Sequence, residues 1–438
     1  MEITDIGQDI ICIICSCLDD IDKIRFLSSN ELLHQMKMKV TFTEKIQINK
    51  IMLLPYYHRF ENIHACGESI IWQSISYCGH QLDVSLPICC NTISIRCDYT
   101  NCGSDRKFHK NRKILFKIPP TVKKISLPDE YNISPKDILP YGVTHVTFGS
   151  RFNTDISDIL PDSITHLTFG RNFNQPIQGR LPSNVNDLIF GYEFNQTVDG
   201  ILPDSITYLK FGYKFNQPIT GCIPSSVTRL KFGNQFNHHI INCLPLGLQY
   251  ISFGNEFDQN ITNAIPESVT TMKVSNCTLN IGANLPVNLK KLVIDDMVLN
   301  CILKSTTLTH LSFGDEFDSV IAKNTIPYGV TDLTFGCDFN QSIVGCIPKS
   351  VQRLTFGKFF DRTIIKAIPN GVTHLTFGQN FNRTLRNAIP ATVTHLTLGL
   401  NFNKDLEIPN TITHLFLCKL SKRFKNMKFD DAITVTRY

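Results

Sequence analysis

From residue 118 to residue 418 the apolar and polar positions return with a fixed period. Prolines stand 21 residues apart at Pro119, Pro140, Pro161, Pro182, Pro203, Pro224, Pro245 and Pro266. The series continues through Pro286, Pro327, Pro348, Pro369, Pro390 and Pro409, and one further unit carries Ser305 in place of proline, which makes 15 units. A clean unit reads Ile368-Pro369-Asn370-Gly371-Val372-Thr373-His374-Leu375-Thr376-Phe377-Gly378-Gln379-Asn380-Phe381-Asn382. Leu375 and Phe377 are two apart, so they point to one face of a short strand, and His374 and Thr376 point to the other. Gly378 follows the strand, where a positive φ or a close approach can turn the chain. Phe381 re-enters the core. Asn382 stands beside it with an amide that, buried and repeated at one level, can bond backbone groups of the adjacent coil. Proline closes the coil on a segment whose N–H no ladder needs.

No 21-residue unit buries its own apolar side, whereas stacked units bury a continuous one. The pattern predicts a solenoid of 15 units with a parallel β-sheet on one face. At about 4.8 Å per strand that sheet is roughly 70 Å long. A different β-coil, such as a β-helix, is the alternative. Between residues 270 and 310 the spacing becomes 20, then 19, then 22, and Val274-Ser275 and Ile294-Asp295 replace Phe-Gly. Leu289, Leu292 and Ile294 keep the apolar columns, so this stretch reads as a bend or insertion within the array.

The first 39 residues carry no repeat. Ile6, Ile10, Ile13, Ile14 and Leu18 are spaced for an amphipathic helix. Asp19 to Asp22 breaks it and can cap a second helix with Ile24, Phe26 and Leu27. A third helix is predicted through Leu32, Leu33 and Met36. Three short helices leave apolar side chains for a partner.

Composition narrows the classes. The 438 residues are 42% hydrophobic with a net charge of +5, which excludes disorder and a strongly basic nucleic-acid coat. Of 30 Phe, 21 lie in the two repeat columns before Gly and Asn, so the excess is stacked core. The longest early apolar run, Ile10 to Leu18, is nine residues. A bilayer needs about 20, and no basic region precedes the run, so neither a membrane span nor a signal peptide is expected. The 16 Cys read as reduced, buried thiols. Cys12 and Cys15 lie in an apolar helical run. Cys66, Cys78, Cys89, Cys90, Cys97 and Cys102, near His64 and His80, lack paired zinc-knuckle spacing. No cofactor, no metal and no catalytic constellation is expected.

The Phe-Asn and Ile-Pro columns, as in Phe173-Asn174-Gln175-Pro176-Ile177 and Phe215-Asn216-Gln217-Pro218-Ile219, resemble the FNIP repeat family. The resemblance implies a leucine-rich-repeat-like coil and an origin among slime moulds or giant viruses of amoebae. The N-terminal segment resembles an F-box, whose pattern is L-P-x-E-I-L-x-x-I-L-S-F-L-D-x-x-D-L-x-R. Ile6, Asp9, Ile10, Ile11, Ile14, Ser16, Leu18, Asp19, Asp22, Ile24 and Arg25 fall in register. Gly7 stands where the family has its proline, which loosens the start of the first helix. This resemblance implies binding to a Skp-type adaptor through Ile6, Ile10, Ile14, Leu18, Ile24 and Phe26. A cullin–RING ubiquitin ligase then follows, in the cytoplasm, or the host cytoplasm for a viral chain. The resulting domains are 1–45 (F-box-like), 46–117 (cap and degenerate repeats), 118–418 (solenoid) and 419–438 (C-terminal cap). A helical cap for the solenoid, in a scaffold with no ubiquitin link, is the alternative.

Recognition by a solenoid usually uses the sheet face. Six histidines share one outward column: His145, His166, His310, His374, His395 and His414. No carboxylate is expected beside them, so they read as a polar ladder. In the middle of the array Tyr208, Lys210, Arg229, Lys231, Tyr250, Lys273 and Lys291 share the two outward columns. Aromatic and basic side chains together suit a protein partner, and these seven are the expected substrate-binding residues. Solvated lysines without a partner are the alternative. Nucleic acid is the weaker reading of these cations and of the basic stretches 106–113 and 419–425.

Overall fold

Each repeat unit folds into one coil that contributes one short strand. A computed structural model describes Cys15, residues 18–28, the backbone of three strands between 46 and 96, and most of 118–437. The first and third predicted helices, the cysteine cluster's side chains and the basic stretch 106–113 lie outside the described residues.

The chain forms two compact units, 1–215 and 216–438. In the first, β1 (Ile46–Gln47), β2 (Asn62–Cys66), β3 (Thr92–Arg96), β4 (Lys124–Ser126), β5 (His145–Thr147), β6 (His166–Thr168), β7 (Asp187–Ile189) and β8 (Tyr208–Lys210) pair in chain order. Every pairing is parallel. The second unit holds β9 (Arg229–Lys231), β10 (Tyr250–Ser252), β11 (Thr271–Val274), β12 (Lys291–Ile294), β13 (His310–Phe313) and β14 (Asp332–Thr334). It continues through β15 (Arg353–Thr355), β16 (His374–Thr376), β17 (His395–Leu398), β18 (His414–Leu417) and β19 (Thr434–Arg437), again all parallel. Strands β4 to β18 fall one per proline unit, so the architecture is the predicted parallel β-solenoid of the leucine-rich-repeat type.

The strand alternation is as the pattern requires. On β16 Leu375 is buried between His374 and Thr376, and Phe377 and Phe381 are buried behind them. Within each unit the two Phe columns stack coil on coil, with a break in the second unit where Val274 and Ile294 replace Phe. Phe169 and Phe173 of one coil lie 3.9 Å apart, and Phe169 lies 5.7 Å from Phe190 of the next. In the second unit Phe356 and Phe360 are 4.0 Å apart, and Phe356 lies 5.5 Å from Phe377. The proline carbonyl accepts from the N–H three residues on, as from Val372 to Pro369 at 3.2 Å, which closes the turn before each strand.

The asparagine column bonds coil to coil. Asn153 Oδ1 accepts from Asn174 N at 2.9 Å, and Asn382 Oδ1 accepts from Asn403 N at 3.0 Å. These side chains are half-buried, not buried, because the bond is made at the edge of the core. Only an acceptor is used. Asp318 and Asp361 therefore serve equally, accepting from Asn340 N at 2.7 Å and Asn382 N at 2.9 Å.

The glycine after the strand marks a close approach and not a positive φ. A Cβ on Gly378 would lie 1.9 Å from the Gly357 carbonyl oxygen. The left-handed residues lie elsewhere, three before the proline: Gly179, Gly200, Gly221, Asn242, Asn263, Asn324, Gly345, Lys366 and Asn387. Glycine and asparagine tolerate that conformation, and lysine adopts it at a cost. Replacing Lys366 (φ 57°) with Asn should raise stability by about 0.5–1 kcal/mol, read by chemical denaturation of the full chain.

The irregular stretch is continuous with the sheet. Where the glycine gives way to Ser275 and Asp295, β11, β12 and β13 lengthen to four residues. Asp295 N then bonds Val274 O at 2.8 Å, so ladder bonding replaces the close approach. At the far end Phe424 is buried 6.0 Å from Phe402, and β19 adds a strand the repeat pattern did not announce. Arg437 stands opposite Leu417, in a column that is apolar elsewhere, and donates to Phe424 O at 3.3 Å. A charged residue in that place deters further strand pairing.

Of the predicted helices, the second is described, as α1 (Asp20–Ser28). Its cap is Asp19, whose Oδ1 accepts from Asp22 N at 2.7 Å. Leu27 and Cys15 are buried, and Asp20 and Lys23 form a buried pair at 2.8 Å. No helix among the described residues is long and apolar enough to cross a membrane.

Candidate interaction surface

The outward strand positions form a face whose character follows the order of the coils. In the first unit His145 and His166 stack at 3.9 Å with their planes 7° apart. Asp187 Oδ2 lies 3.6 Å from His166 Nε2. Tyr208 and Lys210 stand on β8 at the end of this unit. Beyond the strands, Tyr192 and Tyr213 stack at 4.5 Å, with Arg171 4.7 Å over Tyr192.

The threonine before each outward histidine sets its tautomer. Thr373 Oγ1 donates its one hydrogen to Gln352 O of the preceding coil at 3.2 Å, so its oxygen is left to accept from His374 Nδ1–H at 2.9 Å. In the neutral ring Nε2 is then the nitrogen without a hydrogen. The same pair of bonds recurs at Thr144, Thr165, Thr309, Thr394 and Thr413.

In the second unit the face opens with a basic and aromatic cluster. The Arg229 guanidinium lies 5.9 Å and the Lys231 ammonium 5.4 Å from the Tyr250 ring centre. Lys273, on β11, pairs with Asp295, and Lys291 on β12 is exposed. The structure thus groups Arg229, Lys231 and Tyr250 and engages Lys273 within its own face. Asp332 follows, bonded by Arg353 Nε and 3.7 Å from His310 Nε2. Burial pushes the Asp332 carboxyl up, but the bonds from Arg353 and Thr331 and the neighbouring His310 outweigh it and hold it below its ordinary value. Over β16 to β18 the face carries three stacked imidazoles. His374 and His395 are 4.1 Å apart, and His395 and His414 are 4.3 Å apart. Burial, and then the charge of His374 and His414, lower the His395 pKa. Burial, then His166 and Lys124, lower that of His145.

Carboxylates do accompany two histidines of the column, Asp187 beside His166 and Asp332 beside His310, against the expectation from sequence. Both were legible, since each occupies the histidine's column in the next unit. Among the described residues no group of three or more His, Cys, Asp or Glu side chains could hold a metal ion.

On the adaptor side, Leu18, Ile24 and Phe26 are half-buried, and Ile21 is 57% exposed. Ile6, Ile10 and Ile14 lie outside the described residues.

The coil pattern has a counterpart among known families. The FNIP Repeat matches ten times in overlapping spans, from 133–172 to 381–419, interrupted only at 278–279. The chain belongs to the FNIP repeat family. Among solved structures these FNIP coils are similar to a protein titled "CroV588 a novel circular LRR protein", with 25% identity, 91% of this chain and 71% of that chain covered, and a TM-score of 0.53. YopM from Yersinia enterocolitica WA-314 is also similar, at 15% identity, with 87% of each chain covered and a TM-score of 0.39. No curated protein matches the sequence. The FNIP array is thus a repeat solenoid of the leucine-rich-repeat type, an architecture typical of non-enzymatic protein-interaction scaffolds.

Proposed function

We propose that the chain is the substrate-recognition subunit of an SCF-type ubiquitin ligase. Residues 1–45 bind a Skp-type adaptor through Ile6, Ile10, Ile14, Leu18, Ile24 and Phe26, and the solenoid 118–418 holds a substrate protein. The domains 46–117 and 419–438 close the two ends, and the cytoplasm is the working compartment. The observation that carries the reading is the outward cluster of Arg229, Lys231 and Tyr250 on strands whose inward residues, Leu230 and Ile251, are buried. Desolvated aromatic and arginine side chains are the usual centres of protein interfaces. Lys273 and Lys291 belong to the same proposed substrate face, and Tyr208 and Lys210 are proposed to contact the substrate from the first unit. Two features support the adaptor part: the F-box-like register of residues 6–25, and the Asp19 cap that starts α1 inside it. A scaffold with the same solenoid face and no ubiquitin link is the second reading, favoured by Gly7 in place of the family's proline.

Replacing both Ile10 and Leu18 with Asp separates the two. On the first reading the full-length variant loses capture of a Skp-type adaptor at least a hundredfold while its β-sheet circular dichroism is unchanged. Wild-type chain that shows its sheet spectrum and captures no adaptor leaves the scaffold reading alone.

A further inference from the structure

Four large apolar side chains stand exposed in one column, the residue directly after proline: Tyr141 (93%), Leu246 (87%), Val287 (61%) and Tyr328 (75%). Other units place Asp162, Ser183, Glu267, Lys349 or Asn370 there. The position is the first residue of the turn that the proline carbonyl closes. Leu248, Leu289 and Val330 each bond back to their prolines at 3.1 Å, which holds Leu246, Val287 and Tyr328 out of the coil. Nothing in the core requires apolar residues at this corner. Three of them in the second unit, on every second coil, form a row beside the sheet face.

Spacing and charge restrict what the row can receive. Coils stack at about 4.8 Å, so alternate coils place the three side chains roughly 9.6 Å apart. Seven residues of an α-helix rise about 10.5 Å and return to the same side. A strand repeats its face at about 6.6 or 13 Å, which does not fit. The row also lies only four residues before Tyr250 and Lys291 on its coils. A helix about 10–12 Å wide spans from this corner to the sheet face. There β9 to β12 carry Arg229, Lys231, Lys273 and Lys291, with Lys290 exposed just before β12, against Asp295 paired with Lys273, Glu267 in the row's own column, and Asp332 on β14, which Arg353 engages. A partner lying here meets net positive charge.

We infer that the second unit docks an acidic amphipathic helix of a partner protein. Its apolar residues, seven apart, rest on Leu246, Val287 and Tyr328, and its carboxylates face Arg229, Lys231 and Lys291. This rests on the reading of the solenoid as the partner-binding part and not on the ubiquitin link.

The test is selection of a displayed library of helix-favouring 21-residue peptides on the full-length chain. Enriched peptides should be net acidic with apolar residues at i, i+7 and i+14. Their binding should fall at least tenfold in the variant L246S/V287S/Y328S and in R229E/K231E, and weaken with salt. All substitutions lie at outward positions, and sheet circular dichroism checks that both variants fold. Enrichment of neutral or basic peptides, absence of the seven-residue spacing, no enrichment, or binding indifferent to both variants overturns the inference. Adaptor capture by residues 1–45 is measured separately and is unaffected by either outcome, so failure here leaves the ligase reading standing.

Discussion

Gly378→Ala should destabilise the second unit by about 3 kcal/mol or more, although it adds one methyl group to a half-exposed position. The added Cβ would meet Gly357 O at 1.9 Å and Gly357 C at 2.4 Å, and both are backbone atoms. No rotamer change relieves such a contact, so the coils must separate. That separation stretches the strand pairing of β15 with β16 and the Phe stack beneath it. Contacts in a repeat array reach only the neighbouring coils, so the damage is local. Hydrogen exchange should rise first in the coils around 357 and 378 and least near β9. Uniform protection equal to wild type would show that the coils are not so closely apposed. The same substitution at Gly179, where a Cβ meets nothing within 4 Å but φ is 65°, should cost only about 1–2 kcal/mol.

The second large effect is at the inner Phe column. Phe381 is fully buried, 3.8 Å from Phe377 and 6.1 Å from Phe360. Phe381→Ala removes the transfer energy of the ring and leaves a void between two coils, for about 3–5 kcal/mol. Phe381→Leu should retain about half of it, since the adjoining columns already hold buried aliphatic side chains at Leu385 and Leu398. Because the stack is continuous on both sides of Phe381, thermal unfolding of the alanine variant should split into two steps, as cooperativity across the gap is lost. A single transition at the wild-type midpoint in calorimetry would contradict the stacked core.

The strand, its inward pair and the coil-to-coil asparagine were legible in the sequence because a period of two inside a period of 21 fixes which side of a coil each residue occupies. The function of Gly378 was legible only as a choice of two reasons, since sequence does not give the distance between backbones. The left-handed column before proline went unread although glycine and asparagine announce it. Lys366 and the intervening variation hide it in any single unit. Cross-coil ion pairs such as Asp332 with Arg353 required reading down a column, where residues 21 apart in the chain are neighbours across the ladder. The exposed row at Leu246, Val287 and Tyr328 was missed for a related reason. In a turn, an apolar residue gives no sign of whether it packs inward or faces out, and only the Pro-to-Leu248 bond decides it. At the N-terminus, Asp19 as a helix cap was legible from its acidic side chain and its place before Ile24 and Leu27.

The most direct test of the whole account measures ubiquitin on proteins labelled by proximity to the chain in cells. Wild-type chain, R229E/K231E and I10D/L18D are compared, each verified as folded. Expected is a set of proteins labelled by wild type and by I10D/L18D but not by R229E/K231E, with ubiquitin raised on that set by wild type alone. A set labelled equally by all three, or ubiquitin levels indifferent to Ile10 and Leu18, would contradict it.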